Sequence, residues 1–296
     1  MITLKQIQYA LNVEKTKHFK NAAQQCFVSQ SALSTAISEM ENQLGVQIFE
    51  RDNKQVLITA IGVKVLEHFK KIKQQTDDLY TVIASLDQPL NTPMSIGVIP
   101  TIGPYLLPKI LPSVRKKYPD FKMTIIEEQS HVLVDKVKSG ELDTAILALP
   151  YPTEGLHVFE FWQEDFYFVC STMQSMITNI SSDQIQTSEL MLLQDGHCLK
   201  DHALAACSLP MSAYNQSLGG TSLYTLVQMV AGNMGVTLVP QMALSSLVEI
   251  NTELQFTHLN EPGPHRKIAM ITRLNYPAVN NIELLMSLFK QSLQKD

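Results

Sequence analysis

Over the first sixty residues the apolar positions fall at helical steps of three and four. Leu4, Ile7, Leu11 and Val13 mark one helix within residues 4–15. After a short break, residues 20–27 read as a second, with Ala22 and Ala23 allowing close packing and Val28 ending it. Ser29 can cap a third, whose stripe is Leu33, Ile37, Met40 and Leu44 and whose end is marked by Gly45. Ser31, Ser34, Thr35 and Ser38 occupy its other side. A helix, a short turn and a helix with a small polar face suit a DNA major groove, because short hydroxyl side chains let the backbone approach base edges. An ordinary amphipathic helix with a serine-rich exterior has the same pattern. Residues 46–59 read as two short strands around Asp52 and Asn53, either a wing offering Arg51 and Lys54 to phosphate or a solvated hairpin.

A longer rhythm follows. Val65, Phe69, Ile72, Thr76, Leu79, Ile83 and Leu86 alternate steps of four and three through a helix of about 60–86. Such a heptad seam needs a partner, and a second copy of the chain is the simplest one. Residues 87–93, with two prolines, predict a hinge. Beyond it, strand-like runs at 94–99, 122–127, 144–149, 157–161, 165–170, 191–194, 236–240 and 267–273 are interspersed with helical patterns. The helices fall before about 118, at 132–140, 197–207 and 222–235, and from about 278. The alternation predicts a mainly parallel sheet and two similar α/β halves, the size of a small-ligand binding module.

Composition narrows the class. The 296 residues are 45% hydrophobic and 17% charged, an ordinary globular balance with room for two or three domains. The net charge of −5 hides an asymmetry: residues 1–86 sum to +2 and the remainder to −7, which leans toward nucleic acid at the N-terminus. Four irregularly spaced cysteines do not make a secreted disulfide framework, so a reducing, cytoplasmic setting is expected. No signal peptide and no membrane-spanning run is apparent, so no membrane partner is expected.

The densest chemistry is DGHCLKDHALAAC, Asp195 to Cys207. Three readings compete there. A zinc site could draw on His197, Cys198, His202 and Cys207, but no short Cys-x-x-Cys loop is present. Two inert buried thiols are the second reading. A redox switch is the third. If 197–207 is helical, the thiols stand about 13 Å apart along the axis on opposite faces, too far for a disulfide unless the helix unravels. Lys200 and His197, close in sequence, would lower the Cys198 pKa and favour the thiolate. Cys26 and Cys170 read as packing residues, and His131 as a surface histidine.

Residues 19–62, FKNAAQQCFVSQSALSTAISEMENQLGVQIFERDNKQVLITAIG, resemble the winged helix-turn-helix of LysR-type transcriptional regulators, and the resemblance extends over essentially the whole chain. It implies an α+β multi-domain protein. A winged helix-turn-helix DNA-binding domain at 1–59 and a dimerising linker helix at 60–88 would precede a periplasmic-binding-protein-like α/β regulatory domain at 89–296. The latter's subdomains would be about 89–164 plus 268–296, and 165–267. IPTIGPYLLPKILP (99–112), DGHCLKD (195–201) and SLYTLVQMVAGNMGVTLVP (222–240) are similar to peroxide-sensing members of that family. The resemblance then makes Cys198 the peroxidatic thiol and Cys207 the resolving one, with Thr101, Ser130, His197 and Arg266 around the peroxide pocket. It implies Ser29, Gln30, Ser31, Ser34, Ser38, Arg51 and Lys54 on promoter DNA, a homodimer and homotetramer, RNA polymerase as a partner, hydrogen peroxide as the signal, no cofactor and no enzymatic activity. An activator of oxidative-stress genes is the function expected. A regulator answering a small-molecule inducer between the two halves, or a thiol peroxidase, remains the alternative. Glu39 stands where many members carry a basic residue, and Ser208–Gly220 departs from the versions known.

Overall fold

The computed structural model describes residues 1–51, 56–85, 89–174, 178–210, 214, 219–220 and 222–294, with the backbone alone at 51, 84 and 85. The chain divides into two compact units, 1–83 and 84–296.

The first unit opens with α1 (Leu4–Thr16), held at its start by a capping box between Thr3 and Gln6. Helix α2 (Phe19–Gln25) stops earlier than its apolar pattern suggests, because Phe27 turns into the left-handed region at φ 55°. Helix α3 (Gln30–Leu44) starts at Ser29, whose Oγ accepts from the Ala32 amide at 3.2 Å, and ends at Gly45, φ 68°. Leu33, Ile37 and Met40 are fully buried, each contributing about 1.5–3 kcal/mol of apolar transfer. Two short antiparallel strands, β1 (Phe49–Arg51) and β2 (Val56–Ile58), follow. Glu41 anchors them by accepting from the Ile48 and Phe49 amides at 2.7 and 3.0 Å. Helix α4 (Ala60–Ser85) buries Leu66 and Phe69 in this unit's own core. Farther along, Ile72, Leu79 and Ile83 of the heptad seam are exposed.

The second unit contains two sheets over one continuous core. The first has the order β4 (Met123–Glu127), β3 (Met94–Val98), β5 (Thr144–Leu149), β10 (Arg266–Arg273), β6 (Leu156–Glu164). Strands β3 and β5 are nearly all buried, as strands covered on both faces must be. The covering helices of this half include α5 (Gly103–Lys117), α6 (Ser130–Lys138) and α10 (Val279–Leu293). The second sheet has the order β8 (Thr237–Pro240), β7 (Phe166–Ser171), β9 (Leu254–His258). Its helices are α7 (Cys198–Ala206), α8 (Leu223–Ala231) and α9 (Gln241–Leu247).

Two sequence expectations need correction here. The sheet is not mainly parallel: β3 is parallel to β4 and β5, but β10 is antiparallel to β5 and β6, and β7 is antiparallel to β8 and β9. The reason is that the chain crosses between halves at Asp165 and returns through 259–265, entering the first sheet from the other end. Residues 191–194 are not a strand either. They are mostly buried but make one isolated bridge, Leu193 to Gly220, with Leu190 just before them bridging to Val236. An apolar run reports burial, and here the flank offers no continuous ladder.

Candidate functional site

Three helix starts meet at one small pocket in the second unit. The turn from β3 to α5 brings Ile99, Pro100 and Thr101, the turn from β4 to α6 brings Gln129 and Ser130, and the loop before α7 brings Gly196, His197 and Cys198. Together they wall one narrow gap. Backbone amides without helical partners cluster at such helix starts, and their partial positive charge suits an electron-rich oxygen or sulfur atom. Gly196 has φ 96°, a backbone conformation that favours glycine, and the end of the Gln129 side chain packs directly against it.

Cys198 is the first residue of α7 and is 6% exposed. Cys207 is the residue that ends it and is 3% exposed. Both are free thiols. Thr101 and Ser130, each 2% exposed, line the pocket beside Cys198 and His197. Ser130 Oγ is buried without a hydrogen-bond partner of standard geometry, although its hydroxyl stands close enough to favour a thiolate.

Arg266, the first residue of β10, reaches this pocket through Thr101. Its Nη1 donates to Thr101 Oγ1 at 3.4 Å and its Nη2 to the Thr101 carbonyl at 3.2 Å. On the other side its Nε donates to Glu164 Oε1 at 2.7 Å, and both of these side chains are fully buried. Glu164 Oε2 accepts from the Met242 amide at 2.7 Å.

Electrostatically, the site reverses one expectation. Burial pushes the Cys198 thiol up; the Ser130 hydroxyl, Arg266 and a backbone contact at Ala148 pull it back, while Asp201 pushes further up. The cations expected from sequence are otherwise engaged. Lys200 pairs with Asp195 and lies 5.4 Å from the centre of the Tyr214 ring. Burial lowers the pKa of His197, keeping it neutral, and that of the 3%-exposed His202, whose Nε2 is 2.9 Å from the Pro150 carbonyl. Cys198 therefore rests mainly as a thiol. Burial pushes Cys207 up to about 12, with the Glu261 charge adding to it.

The fold thus gathers Thr101, Ser130, His197 and Cys198 at the pocket, ties Arg266 to its wall, and sets Cys207 at the far end of α7. Sequence reasoning missed Gln129, Gly196 and Glu164, because nothing local in the pattern distinguishes them from ordinary turn and strand residues. No group of three or more metal-ligating side chains occurs among the described residues. In the first unit, Ser29, Gln30 and Ser31 are exposed, and Ser34 and Ser38 are half-buried. Arg51 ends β1, and Lys54 lies outside the described residues. No described helix is long and apolar enough to cross a membrane.

Comparison with known proteins places both units. Residues 4–63 match the family described as bacterial regulatory helix-turn-helix protein, lysR family, and residues 87–294 match the LysR substrate binding domain. The chain is 35% identical over 98% of its length to the HTH-type transcriptional regulator EstR of Acinetobacter baylyi, covering 96% of that protein. It is 31% identical over 97% of its length to the hydrogen peroxide-inducible genes activator of Haemophilus influenzae, covering 95% of it. Among solved structures, a full-length OxyR variant from Pseudomonas aeruginosa superposes with a TM-score of 0.79 at 30% identity, covering 98% of each chain. A mutant OxyR of Corynebacterium glutamicum with hydrogen peroxide bound gives a TM-score of 0.68 at 28% identity, covering all of this chain and 94% of that one.

Proposed function

The chain belongs to the LysR family of transcriptional regulators, and on that premise we propose that it is a peroxide-sensing activator whose signal is the oxidation of Cys198. The observation that carries this reading is the placement of Cys198 at a helix start, sharing one narrow pocket with Thr101, Ser130 and His197. The similarity to peroxide-inducible activators supports the same reading.

In this mechanism Thr101 and Ser130 offer hydroxyls to the peroxide oxygens. The Cys198 thiolate attacks one oxygen, the O–O bond breaks, and hydroxide leaves to become water, giving a sulfenic acid. Cys207 then displaces water from that sulfenic acid and forms the Cys198–Cys207 disulfide. Thiol exchange re-reduces it. Ser29, Gln30, Ser31, Ser34 and Ser38 on α3 and Arg51 and Lys54 on the wing are the proposed contacts to promoter DNA. The exposed seam of α4 would join a homodimer, two of which form a tetramer that recruits RNA polymerase in the cytoplasm.

Promoter binding and transcription, measured with and without peroxide in the parent chain and in Cys198→Ser, test this. The response should vanish in Cys198→Ser while the reduced form still binds DNA. A second reading is a small-molecule inducer held between the halves of the second unit, and the 35% identity to EstR, a regulator whose name carries no peroxide signal, is compatible with it. Induction that survives Cys198→Ser would support it.

A further inference from the structure

Arg266 is the charged side chain nearest in role to Cys198, and its own charge is balanced inside the fold by Glu164. The two residues are cross-strand neighbours in the β10–β6 register, placed where the chain crosses between the two halves of the second unit. Both side chains are fully buried, so neither solvent nor salt screens the pair. Glu164 divides its two oxygens. Oε1 holds Arg266 Nε, and Oε2 caps α9 at the Met242 amide. Helix α9 needs that acceptor, because its own N-cap is Pro240, which offers no side-chain hydrogen bond. One carboxylate therefore fixes the arginine that touches Thr101 with one oxygen and ties the first sheet to the start of α9 with the other.

We infer that Glu164 is a positioning residue for the Cys198 site, holding the Arg266 guanidinium against Thr101 and balancing its charge inside the fold. This inference rests on reading Cys198 as the reactive thiol. The remaining charged or titratable groups toward the site are His197 beside Cys198, Lys200, Asp201 and His202 on α7, Tyr151 after β5, and Tyr105 and Glu127 on the side of Arg266. None of them makes a hydrogen bond to Arg266 in place of Glu164. Removing the Glu164 charge leaves a buried, uncompensated cation beside the thiol, and such a cation favours the thiolate.

The experiment is the pH profile of Cys198 alkylation by iodoacetamide, followed by mass spectrometry in the full-length chain with Cys26, Cys170 and Cys207 replaced by serine. Glu164→Gln should shift the midpoint down by about one pH unit, giving roughly ten times more thiolate below the midpoint. Glutamine leaves either Arg266 or the Met242 amide without its acceptor, a loss that can cost folding, so Glu164→Asp is measured alongside. It keeps the charge but cannot span both donors, and should shift the midpoint in the same direction by less. Wild-type midpoints in both variants, or in Glu164→Asp alone where Glu164→Gln does not fold, would overturn the inference. Failure of the peroxide reading is separate: it appears as no sulfenic acid at Cys198 in the parent chain after peroxide, whatever the alkylation midpoints.

Discussion

The nine steps from Cys198 to Cys207 set a measurable cost on any bond between them. Along a helix they separate the two residues by about 13 Å and half a turn, whereas a disulfide needs Cα atoms within about 7 Å. A Cys198–Cys207 bond therefore requires α7 to unwind, and Leu199, Ala203 and Leu204, now 3%, 1% and 1% exposed, must leave their places. Leu204→Ala uses this. Truncating a buried leucine costs about 2–5 kcal/mol, and where the side chain is released on oxidation, that loss falls on the reduced state alone. Oxidation becomes easier, and at 30 mV per 1.4 kcal/mol for a two-electron couple the midpoint potential drops by about 40–110 mV. The assay is equilibration in glutathione buffers of stepped potential, acid quenching and mass spectrometry of the 198–207 peptide. Leu285→Ala is the control: it is fully buried in α10, destabilises reduced and oxidised forms alike, and should leave the potential unmoved. A Leu204→Ala protein with lowered Tm and an unchanged potential would refute the unwinding.

Three further outcomes are expected. Arg51→Ala should weaken binding to all DNA sequences and shallow the salt dependence by about one unit of slope, whereas Gln30→Ala should blur sequence preference; identical footprints and salt titrations for the two would argue against this docking. The half-buried His197 and the buried His202 have lowered pKa values, so the folded state binds fewer of their protons than the unfolded chain. Their contribution to stability is fully present above about pH 6.5 and is lost as pH falls through their folded-state values. His202→Gln, which keeps a donor for the Pro150 carbonyl, should therefore flatten the fall of Tm with acid, and an unaltered slope would count against it. Cys207 in the resting protein should alkylate at pH 8 roughly a thousandfold more slowly than in urea-unfolded chain, and equal rates would show that its burial does not protect it.

The head was legible because its signals are local. Ser29, Gly45 and the Leu33–Ile37–Met40 stripe announce a helix by capping and period alone, and the structure uses each of them in that way. The second unit was legible in its elements and less so in its pairing. Strand β10 is a plain apolar run, but its antiparallel place between β5 and β6 depends on which end the chain re-enters after nearly a hundred residues in the other half. Of the site, Cys198 and His197 stood out through residue type, while Thr101, Ser130 and Arg266 came only with the family resemblance. Glu164 had no signal. An acidic residue at a strand end looks exposed in sequence, and only its pairing with Arg266 and the Met242 amide explains its burial. The charge around Cys198 was misread for the same reason, since sequence proximity placed Lys200 beside the thiol and the fold turned it toward Asp195 and Tyr214.

That misreading bears on how the two thiols would be ordered in time. With burial holding Cys207 at about 12, only a minute fraction is thiolate near neutral pH, so it neither competes for peroxide nor attacks a sulfenic acid across the helix. Unwinding of α7 changes both conditions together. It brings the sulfurs within bonding reach, and it returns Cys207 to solvent, where a thiol titrates near 8.5 and the thiolate fraction rises by roughly three orders of magnitude. Reach and reactivity are then gated by one structural event. On the proposed reading, oxidation of Cys198 would supply the trigger at the helix start, where Cys198, His197 and Gly196 share the wall of a narrow pocket and a sulfenic oxygen would have little room. A helix of nine residues, bounded by a left-handed glycine before it and Ser208 at φ 52° after it, has little independent stability to resist. Its tertiary packing, chiefly Leu199 and Leu204, then sets the threshold at which the signal passes.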